Sequence, residues 1–172
     1  DIGEVDGRHF LSMEYVDGED LASLLRRIGR LPPNKALEIA RELCAGLAAA
    51  HAQGVIHRDL KPGNILIDGR GRARIADFGL AARADQTASE VAGTPPYMAP
   101  ELFLGRGASV QSDIYALGVV FYELFTGRST FEGTGLAASR RAHLDEAPPP
   151  PSRFVLDMDS EVKMLEAINE LK

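Results

Sequence analysis

The sequence HRDLKPGN at residues 57–64 places several charged and polar side chains beside the apolar run ILI. Asn64 follows Asp59 by five residues, and two short β-like runs lead from Asn64 to Asp77. A hairpin returns the chain to its starting point, so we expect Asp77 to lie close to Asn64. Oxygen-bearing side chains at strand ends suit a hard divalent cation such as Mg²⁺. The spacing therefore predicts a cation site formed by Asn64 and Asp77.

Asp59 and Lys61 would lie beside that cation. Asp59 could orient a hydroxyl group and accept its proton. Lys61, two residues along an extended loop, would point the same way and could neutralise a phosphate. Charge clusters in loops are usually solvated, so the HRD triplet alone would indicate little. The chemical interpretation depends on its spacing to Asn64 and Asp77.

Periodicity and turn residues predict the elements that position this loop. A helix runs from Pro33 to Gln53, with Pro33 in its first turn and Gly54 after its end. The runs NILID and ARIAD read as short strands joined by GRGR, whose glycines can adopt the positive φ of a tight turn. The segment from Ser112 to Thr126 is apolar nearly all round and is predicted to be a central core helix.

Further elements are predicted on both sides. The chain opens as a hairpin, DIGEV and HFLSMEYV, that turns at Asp6 and Gly7. A short helix is expected over residues 20–28 and another over LAASRRAHL. Residues 78–100 read as a long loop, which in a compact domain is usually functional or disordered. Residues 160–172 have the apolar spacing of an amphipathic helix.

Composition limits the class of protein. The 172 residues are 45% apolar, which suits one globular domain or a large piece of a bigger one. Nineteen basic and twenty-five acidic residues give a net charge of −6, and the scattered basic residues argue against nucleic acid as a partner. The longest apolar stretch, residues 114–125, is too short to cross a bilayer. We expect no membrane segment in this chain.

Cys44 is the only cysteine, which excludes an internal disulfide and a zinc site built from thiolates. This usage suits a reducing compartment, and we expect Cys44 to be a buried structural thiol. The chain begins without an initiator Met or a signal-like region, so it reads as a segment of a longer protein. We expect a cytoplasmic location, with any membrane anchor of the longer protein outside this chain.

Four motifs carry a resemblance to a known family. In their order along the chain, HRDLKPGN, DFG, GTPPYMAPE and SDIYALGVVFYEL resemble the C-terminal lobe of the eukaryotic-type serine/threonine protein kinases, in their bacterial form. The resemblance covers nearly the whole chain and fades after APPPPSRF. It implies an α+β, protein-kinase-like fold with a mainly α-helical lobe and short β-hairpins. The implied activity is transfer of the ATP γ-phosphate to Ser or Thr hydroxyls of protein substrates.

The resemblance assigns roles to the residues of the loop. Asp59 is implied to be the catalytic base and Lys61 the phosphate-neutralising lysine. Asn64 and Asp77 are implied to be ligands of Mg²⁺, with Mn²⁺ as an alternative. The lysine after HRDL, together with GTPPYMAPE, is similar to the serine/threonine branch of the family and not to the tyrosine branch.

Supporting roles also follow from the resemblance. Thr94 is implied to contact the loop and to shape the site for the residue after the acceptor. His57 is given a packing role, with a general-base role as the less favoured alternative. Arg58 resembles the arginine that pairs with a phosphorylated residue of the following long loop. Thr87 and Ser89 are the candidates, with ordinary loop hydroxyls as the alternative for each.

The nucleotide side rests on the run MEYVDG, which resembles the hinge between two kinase lobes. Backbone groups of Glu14 and Val16 would hydrogen-bond adenine, and Met13 would gate the deeper pocket. Asp20 could reach the ribose, and Leu66 would form an apolar floor. The structural alternative stays open, because any edge strand or core leucine could show this pattern.

Two acidic residues resemble structural positions of the family. Asp113 is implied to be a buried aspartate that holds the backbone of the 57–64 loop through N–H groups. Glu101 is implied to pair with an arginine near the end of the lobe. The sequence ends before such an arginine appears.

The resemblance divides the chain into two parts. Residues 1–19 would be the last strands of the small lobe with the hinge, and residues 20–172 a C-terminal lobe truncated at its end. A glycine-rich loop, a VAIK-type lysine and its glutamate partner are not in this sequence. We therefore expect the missing small lobe of the same protein as a partner, and weak or no activity from this chain alone.

Two alternatives to an active kinase remain. The lobe could be a non-catalytic, pseudokinase-like scaffold or docking module, although its motifs are intact. It could also be a Mg²⁺-dependent phosphotransferase for small molecules, which shares the Asp and Asn chemistry. GTPPYMAPE argues against that last interpretation, because a peptide-positioning segment is not needed for a small acceptor.

Overall fold

The computed structural model describes residues 2–5, 8–11, 14–78, 93–131 and 135–155. Its strands are β1 (Ile2–Val5), β2 (Arg8–Leu11), β3 (Gly18–Asp20), β4 (Ile65–Asp68) and β5 (Ala73–Ile75). Its helices are α1 (Leu21–Ile28), α2 (Pro33–Ala52), α3 (Pro100–Phe103), α4 (Val110–Thr126) and α5 (Leu136–Asp145). Single 3₁₀ turns cover Pro62–Asn64, Pro95–Tyr97 and Pro151–Arg153. The α+β class expected from the sequence is confirmed.

The strands β1 and β2 form an antiparallel hairpin. Ile2 lies opposite Leu11 and Val5 opposite Arg8, a register that leaves two residues for the connection, as predicted. The strand β2 is shorter than the predicted run, because residues 14–17 are not in a strand.

A second antiparallel sheet has the strand order β3-β4-β5. The β4-β5 hairpin was predicted, whereas β3 was not, because glycine and acidic residues are poor strand formers. Gly18 is needed there, since a Cβ at this position would lie 2.0 Å from the carbonyl oxygen of Ile67. The strand β3 directly follows residues 14–17 in the chain and pairs with β4, so it attaches that segment to the sheet.

The helices α1 and α2 are confirmed, with boundaries within one residue of the predicted ones. The Asp20 carboxylate accepts a hydrogen bond from the backbone N–H of Ser23 at 2.8 Å, which caps the start of α1. Gly29 ends α1 with φ +78°, and Gly54 follows α2 with φ +72°. Both glycines adopt the left-handed conformation that commonly follows a helix.

The helix α4 is the central core helix that the sequence predicts. It begins two residues earlier than expected, because Ser109 and Ser112 form a reciprocal capping box. Eleven of its seventeen residues are buried. Gly127 ends it in the left-handed region, at φ +68°.

One hydrophobic core joins α1, α2, the 57–64 loop, β4 and α4. The helix α2 contributes a stripe of buried residues at helical spacing: Ala36, Ile39, Ala40, Leu43 and Leu47. Leu60 belongs to the same cluster and is 2% exposed. The loop is therefore anchored in the core by an apolar side chain between its polar residues.

The prediction for Cys44 was wrong. Its side chain is exposed on α2 and is not buried in the core. Cys44 follows the inward-facing Leu43, and successive residues of an α-helix are rotated by about 100° around its axis. The helical periodicity therefore places this thiol outside the buried stripe.

Several predictions fall partly or wholly outside the described residues. In the described part of the loop predicted over residues 78–100, a 3₁₀ turn covers Pro95–Tyr97, and α3 begins at Pro100. Met13, Thr87 and Ser89 lie outside the described residues, as does the helix predicted over residues 160–172. Among the described helices, none is both long enough and apolar enough to span a membrane.

Candidate active site

The 57–64 loop is held by the buried carboxylate of Asp113 in α4. Asp113 is 1% exposed, so its charge needs hydrogen-bond donors. The backbone N–H of His57 donates to its Oδ2 at 2.8 Å, and the N–H of Arg58 donates to its Oδ1 at 2.9 Å. His51 Nε2 lies 2.8 Å from Oδ2 and supplies a third contact. Asp113 thus makes backbone contacts of the kind that the family resemblance implies.

Two residues of the site adopt backbone conformations that are unusual for non-glycine residues. Arg58 has φ +74° and Asp77 has φ +61°. Such conformations cost free energy and persist only where the surrounding contacts impose them. For Arg58, the contact with Asp113 is one of those constraints.

His57 connects the loop to the segment after β5. Its ring is fully buried, and Nε2 donates to the carbonyl oxygen of Ala76 at 2.9 Å. The backbone N–H of Asp59 donates to Nδ1 at 3.3 Å, and the ring packs against Phe78 at 4.8 Å between centroids. Both ring nitrogens face backbone groups, which favours the packing role over a general-base role.

Asp59, Lys61 and Thr94 form a closed triangle of hydrogen bonds. The Lys61 Nζ donates to Asp59 Oδ2 at 2.6 Å and to Thr94 Oγ1 at 2.7 Å. The Thr94 hydroxyl donates to Asp59 Oδ1 at 2.7 Å. All three groups are partly buried, so these bonds are less screened by solvent than surface pairs. The triangle joins the loop to the segment before the Pro95–Tyr97 turn.

Asn64 and Asp77 are brought to the same end of the β4-β5 hairpin. The Asn64 side-chain nitrogen donates to the carbonyl oxygen of Asp59 at 2.8 Å, which leaves its amide oxygen as an acceptor. The backbone N–H of Ala76 donates to the Asn64 carbonyl oxygen at 2.8 Å, directly before Asp77. The hairpin therefore closes as the sequence predicts.

The side-chain oxygens of Asn64 and Asp77 fit a hard cation that takes its other ligands from water and a substrate. Within the described ranges, no three His, Cys, Asp or Glu side chains group as a metal-binding set. One carboxylate and one amide oxygen nevertheless suit Mg²⁺, which commonly keeps water and phosphate oxygens among its ligands. The residues present thus supply part of a coordination shell.

The segment expected to be a hinge lies beside the β3-β4-β5 sheet. The exposed Glu14 forms an ion pair with Arg74 of β5 at 3.0 Å, and Val16 is half-buried. Leu66 lies opposite Asp20 in the sheet register and is partly exposed. Its neighbours Ile65 and Ile67 are buried, so Leu66 is on the face of β4 that does not pack on the core.

Asp20 has a structural contact that the sequence prediction did not include. Its Oδ2 accepts a hydrogen bond from the Ser23 hydroxyl at 2.6 Å, in addition to the backbone bond to Oδ1. The Ser23 side chain is the main cause of a lowered Asp20 pKa. The carboxylate therefore caps α1 in the ionised form, and contact with a ribose stays a prediction.

Glu101 occupies α3 without an arginine partner within the described residues. Its carbonyl oxygen accepts backbone N–H bonds from Leu104 and Arg106 at the end of that helix. Burial raises the pKa of Tyr115 in α4, and the negative charge of Glu101 raises it further.

The sequence did not predict a second hydrogen-bonded pair of side chains, which joins the Pro95–Tyr97 turn to α4. The Tyr97 hydroxyl lies 3.1 and 3.0 Å from the two carboxylate oxygens of Glu123 in α4 and donates to one of them. Burial is the main cause of the raised pKa of both groups. The signal for this pair in the sequence is a single charged residue, Glu123, within the apolar stretch of residues 114–125.

The arrangement agrees with a known domain family. The family model for the protein kinase domain matches residues 1–168. The chain belongs to the protein kinase domain family. The resemblance inferred from the four motifs is therefore confirmed, together with the fold class. Kinases of this family use ATP with a divalent metal ion and act on protein substrates.

Curated relatives of this kinase domain come from actinobacteria. A probable serine/threonine-protein kinase of Corynebacterium efficiens is 40% identical over 168 residues, which cover 92% of this chain and 26% of that protein. The serine/threonine-protein kinase PknA of Mycobacterium tuberculosis is 46% identical over 145 residues, covering 82% and 34% respectively. PknE of the same species is 43% identical over 156 residues, covering 88% and 27%. The chain thus spans about a quarter to a third of these relatives.

Proposed function

We propose that the protein containing this kinase domain transfers the γ-phosphate of ATP to Ser or Thr hydroxyls of protein substrates. The observation that carries the proposal is the triangle of Asp59, Lys61 and Thr94. The acceptor oxygen forms a bond to the γ-phosphorus while the bond to the β,γ-bridging oxygen breaks and ADP leaves. Asp59 orients the hydroxyl and takes its proton. Each carboxylate oxygen has two lone pairs, so Asp59 keeps acceptor capacity beyond its bonds to Lys61 and Thr94.

Lys61 is assigned to the transferring phosphoryl group. An ammonium has three N–H donors, and two of them are directed at Asp59 and Thr94. The third is available to a phosphate oxygen, where a fixed positive charge stabilises the transition state. Thr94 then positions both Asp59 and Lys61. Its place directly before the Pro95–Tyr97 turn supports a role beside the bound peptide substrate.

Asn64 and Asp77 are the proposed ligands of the divalent ion, with Mg²⁺ preferred and Mn²⁺ as the alternative. Such an ion neutralises charge on the nucleotide phosphates when bound. The oxygen chemistry of the two side chains supports this assignment. Asn64 also holds the backbone of Asp59, so it would link the metal position to the base.

The nucleotide contacts are proposed from the hinge segment. Backbone groups of Glu14 and Val16 would bind adenine, with Met13 gating the deeper pocket. Leu66 would be the floor, which its place on the face of β4 away from the core supports. Asp20 would reach the ribose in addition to capping α1.

Regulation is proposed to act through Arg58. Its exposed side chain precedes Asp59, and a phosphoryl group on Thr87 or Ser89 would supply about −1.5 to −2 charge for it to bind. Mass spectrometry of the kinase after incubation with ATP should find phosphate on residues 84–93, and its absence there would contradict the assignment.

We propose the same domain division as the sequence suggests. Residues 1–19 would belong to a small lobe that is otherwise outside this chain, and residues 20–172 to the C-terminal lobe. The resemblance of MEYVDG to a hinge, followed by the loop motifs of the C-terminal lobe, supports this division. A cytoplasmic location also stays a prediction.

The test is phosphoryl transfer by the full-length protein, assayed with ATP and a generic protein substrate. We expect Asp59→Asn to lower the rate by about 10²- to 10⁴-fold, the usual contribution of a general base. Asp77→Ala should lower it comparably through loss of the metal ligand. Asp145→Asn, which changes an exposed aspartate at the end of α5, is the matched control and should retain the wild-type rate.

The outcomes separate the candidate functions. A wild type as inactive as its Asp59→Asn and Asp77→Ala variants would contradict the kinase proposal and favour a scaffold. Transfer to a small hydroxyl compound but not to protein would favour the small-molecule alternative.

A further inference from the structure

His51 is a largely buried histidine that the proposed reaction does not use. It lies in the last turn of α2, and its side chain is 12% exposed. Its Nε2 lies 2.8 Å from Asp113 Oδ2, across 62 residues of sequence. The contact therefore joins the end of α2 to the start of α4, directly below the 57–64 loop.

The direction of this hydrogen bond follows from its partners. An ionised carboxylate can only accept, so His51 Nε2 must carry the hydrogen. Asp113 then accepts three N–H groups, from His51 and from the backbones of His57 and Arg58. A carboxylate that is 1% exposed has no solvent to replace a missing donor.

The three donors divide unequally between the two oxygens of Asp113. Oδ2 receives His51 and the amide of His57, whereas Oδ1 receives the amide of Arg58. The bond from His51 therefore fixes the rotation of the Asp113 carboxylate. Both backbone amides need this rotation for their own bonds to the carboxylate. Because Arg58 has φ +74° and Asp59 follows it directly, this rotation also influences where the Asp59 carboxylate points.

We propose that His51 is a positioning residue for phosphoryl transfer. Its Nε2–H fixes the Asp113 carboxylate, which holds Arg58 in the left-handed conformation and thereby orients Asp59. His51 acts through Asp113 and contacts neither ATP nor the acceptor. The inference rests on the proposed kinase function and adds a residue to it.

The first test compares His51→Leu with His51→Gln in the full-length protein. Leucine fills a similar volume without a donor, whereas the glutamine amide can donate near the position of Nε2. We expect His51→Leu to lower the single-turnover transfer rate about 10- to 100-fold, the effect of losing a hydrogen bond to a charged group. The KM values for ATP and protein should change little, and His51→Gln should recover most of the rate.

A matched control is available two residues along α4 from Asp113. Tyr115→Phe also removes a contact with a buried histidine, since the Tyr115 hydroxyl lies 2.7 Å from His143 Nδ1. That contact does not involve the 57–64 loop, so the variant should keep the wild-type transfer rate. If His51→Leu does not fold, His51→Asn replaces it, because its shorter amide reaches only to the position of Nδ1.

A second measurement does not depend on activity. Hydrogen exchange of the His57 and Arg58 amides should be faster in His51→Leu than in wild type, and close to wild type in His51→Gln. Equal exchange and equal transfer rates in all three proteins would overturn the inference, as would equal losses in the Leu and Gln variants. If wild type transfers no phosphate, the kinase proposal fails, and the exchange rates still decide whether His51 holds the loop.

Discussion

At the residue scale, the site depends on hydrogen bonds that each involve at least one charged and only partly exposed group. The bonds within the triangle of Asp59, Lys61 and Thr94 are between 2.6 and 2.7 Å long. Such charge-assisted bonds are about twice as strong as neutral ones, and they hold three side chains in one geometry before any substrate binds. The arrangement is preorganised for the chemistry that we propose.

The Thr94 hydroxyl is expected to be essential to this geometry. Thr94→Ala removes the group that bonds to both Asp59 and Lys61, and losing a hydrogen bond to a charged group costs about 1.5–3 kcal/mol. Initial-rate assays of the full-length protein should show transfer reduced about 10- to 100-fold. Thr94→Ser retains the hydroxyl and should stay near wild type. An alanine variant as active as the serine variant would contradict this role.

Glu123 is expected to make stability depend on pH. Burial raises its pKa above the ordinary value of 4.5, although the bond from Tyr97 opposes this shift. The folded state therefore binds this proton more tightly than the unfolded chain does. Its contribution to stability is fully present below the unfolded pKa and is lost as pH rises through the folded pKa.

Glu123→Gln tests that dependence, because glutamine keeps an acceptor for Tyr97 without the charge. We expect the Tm difference between the variant and wild type to shift in favour of the variant as pH rises from about 4 to about 7. Thermal unfolding followed by circular dichroism provides the measurement. A difference that does not change with pH would show that Glu123 titrates normally.

At the element scale, α4 supports both sides of the site. Asp113 near its start holds the 57–64 loop, and Glu123 near its end contacts Tyr97 of the Pro95–Tyr97 turn. The two residues are ten positions apart, about 15 Å along an α-helix. Because one rigid element anchors both segments, the distance between the loop and the turn is set largely by this helix.

The end of α4 is also constrained by its neighbour α1. A Cβ at Gly127 would lie 2.9 Å from the carbonyl oxygen of Gly29, and Gly127 has φ +68°. We expect Gly127→Ala to lower the free energy of unfolding by about 1–3 kcal/mol, measured by urea denaturation. Gly118→Ala is the control, since its Cβ would contact nothing and alanine favours a helix by up to about 1 kcal/mol. Equal effects of the two substitutions would refute this explanation.

The elements also show which features a sequence can predict. The loop residues, the β4-β5 hairpin and α4 were predictable, because spacing, turn residues and hydrophobic periodicity are local. Contacts such as His51 with Asp113 were not, since nothing in the sequence pairs side chains 62 residues apart. The strand β3 was missed because it forms through pairing with β4 and not through its own propensity.

At the scale of the whole molecule, our proposal gives this chain one side of the ATP site. The hinge segment, Leu66 and the 57–64 loop would contact the nucleotide from this lobe. A glycine-rich loop and a VAIK-type lysine, which cover the phosphates in the family, do not occur in this sequence. The complete site would therefore need residues from outside this chain.

That division predicts a difference in ATP affinity. Titration of a fluorescent ATP analogue in the presence of Mg²⁺ should give a Kd at least about tenfold higher for the 172-residue chain than for the full-length protein, a loss of about 1.4 kcal/mol. Both proteins should be compared at a temperature where each is folded. Equal affinities would contradict the proposal that residues 1–19 belong to an incomplete small lobe.

The bonds from Asp113 to the backbones of His57 and Arg58 have a consequence for synthesis on the ribosome. The two ends of these contacts are 56 and 55 residues apart, and the loop is made first. At 5–20 residues per second, the loop would wait roughly 3 to 11 seconds for the helix that shapes it. Thr94 completes the triangle only part-way through that interval, and until Asp113 is made the nascent chain would lack the anchor in α4 and so a competent active site.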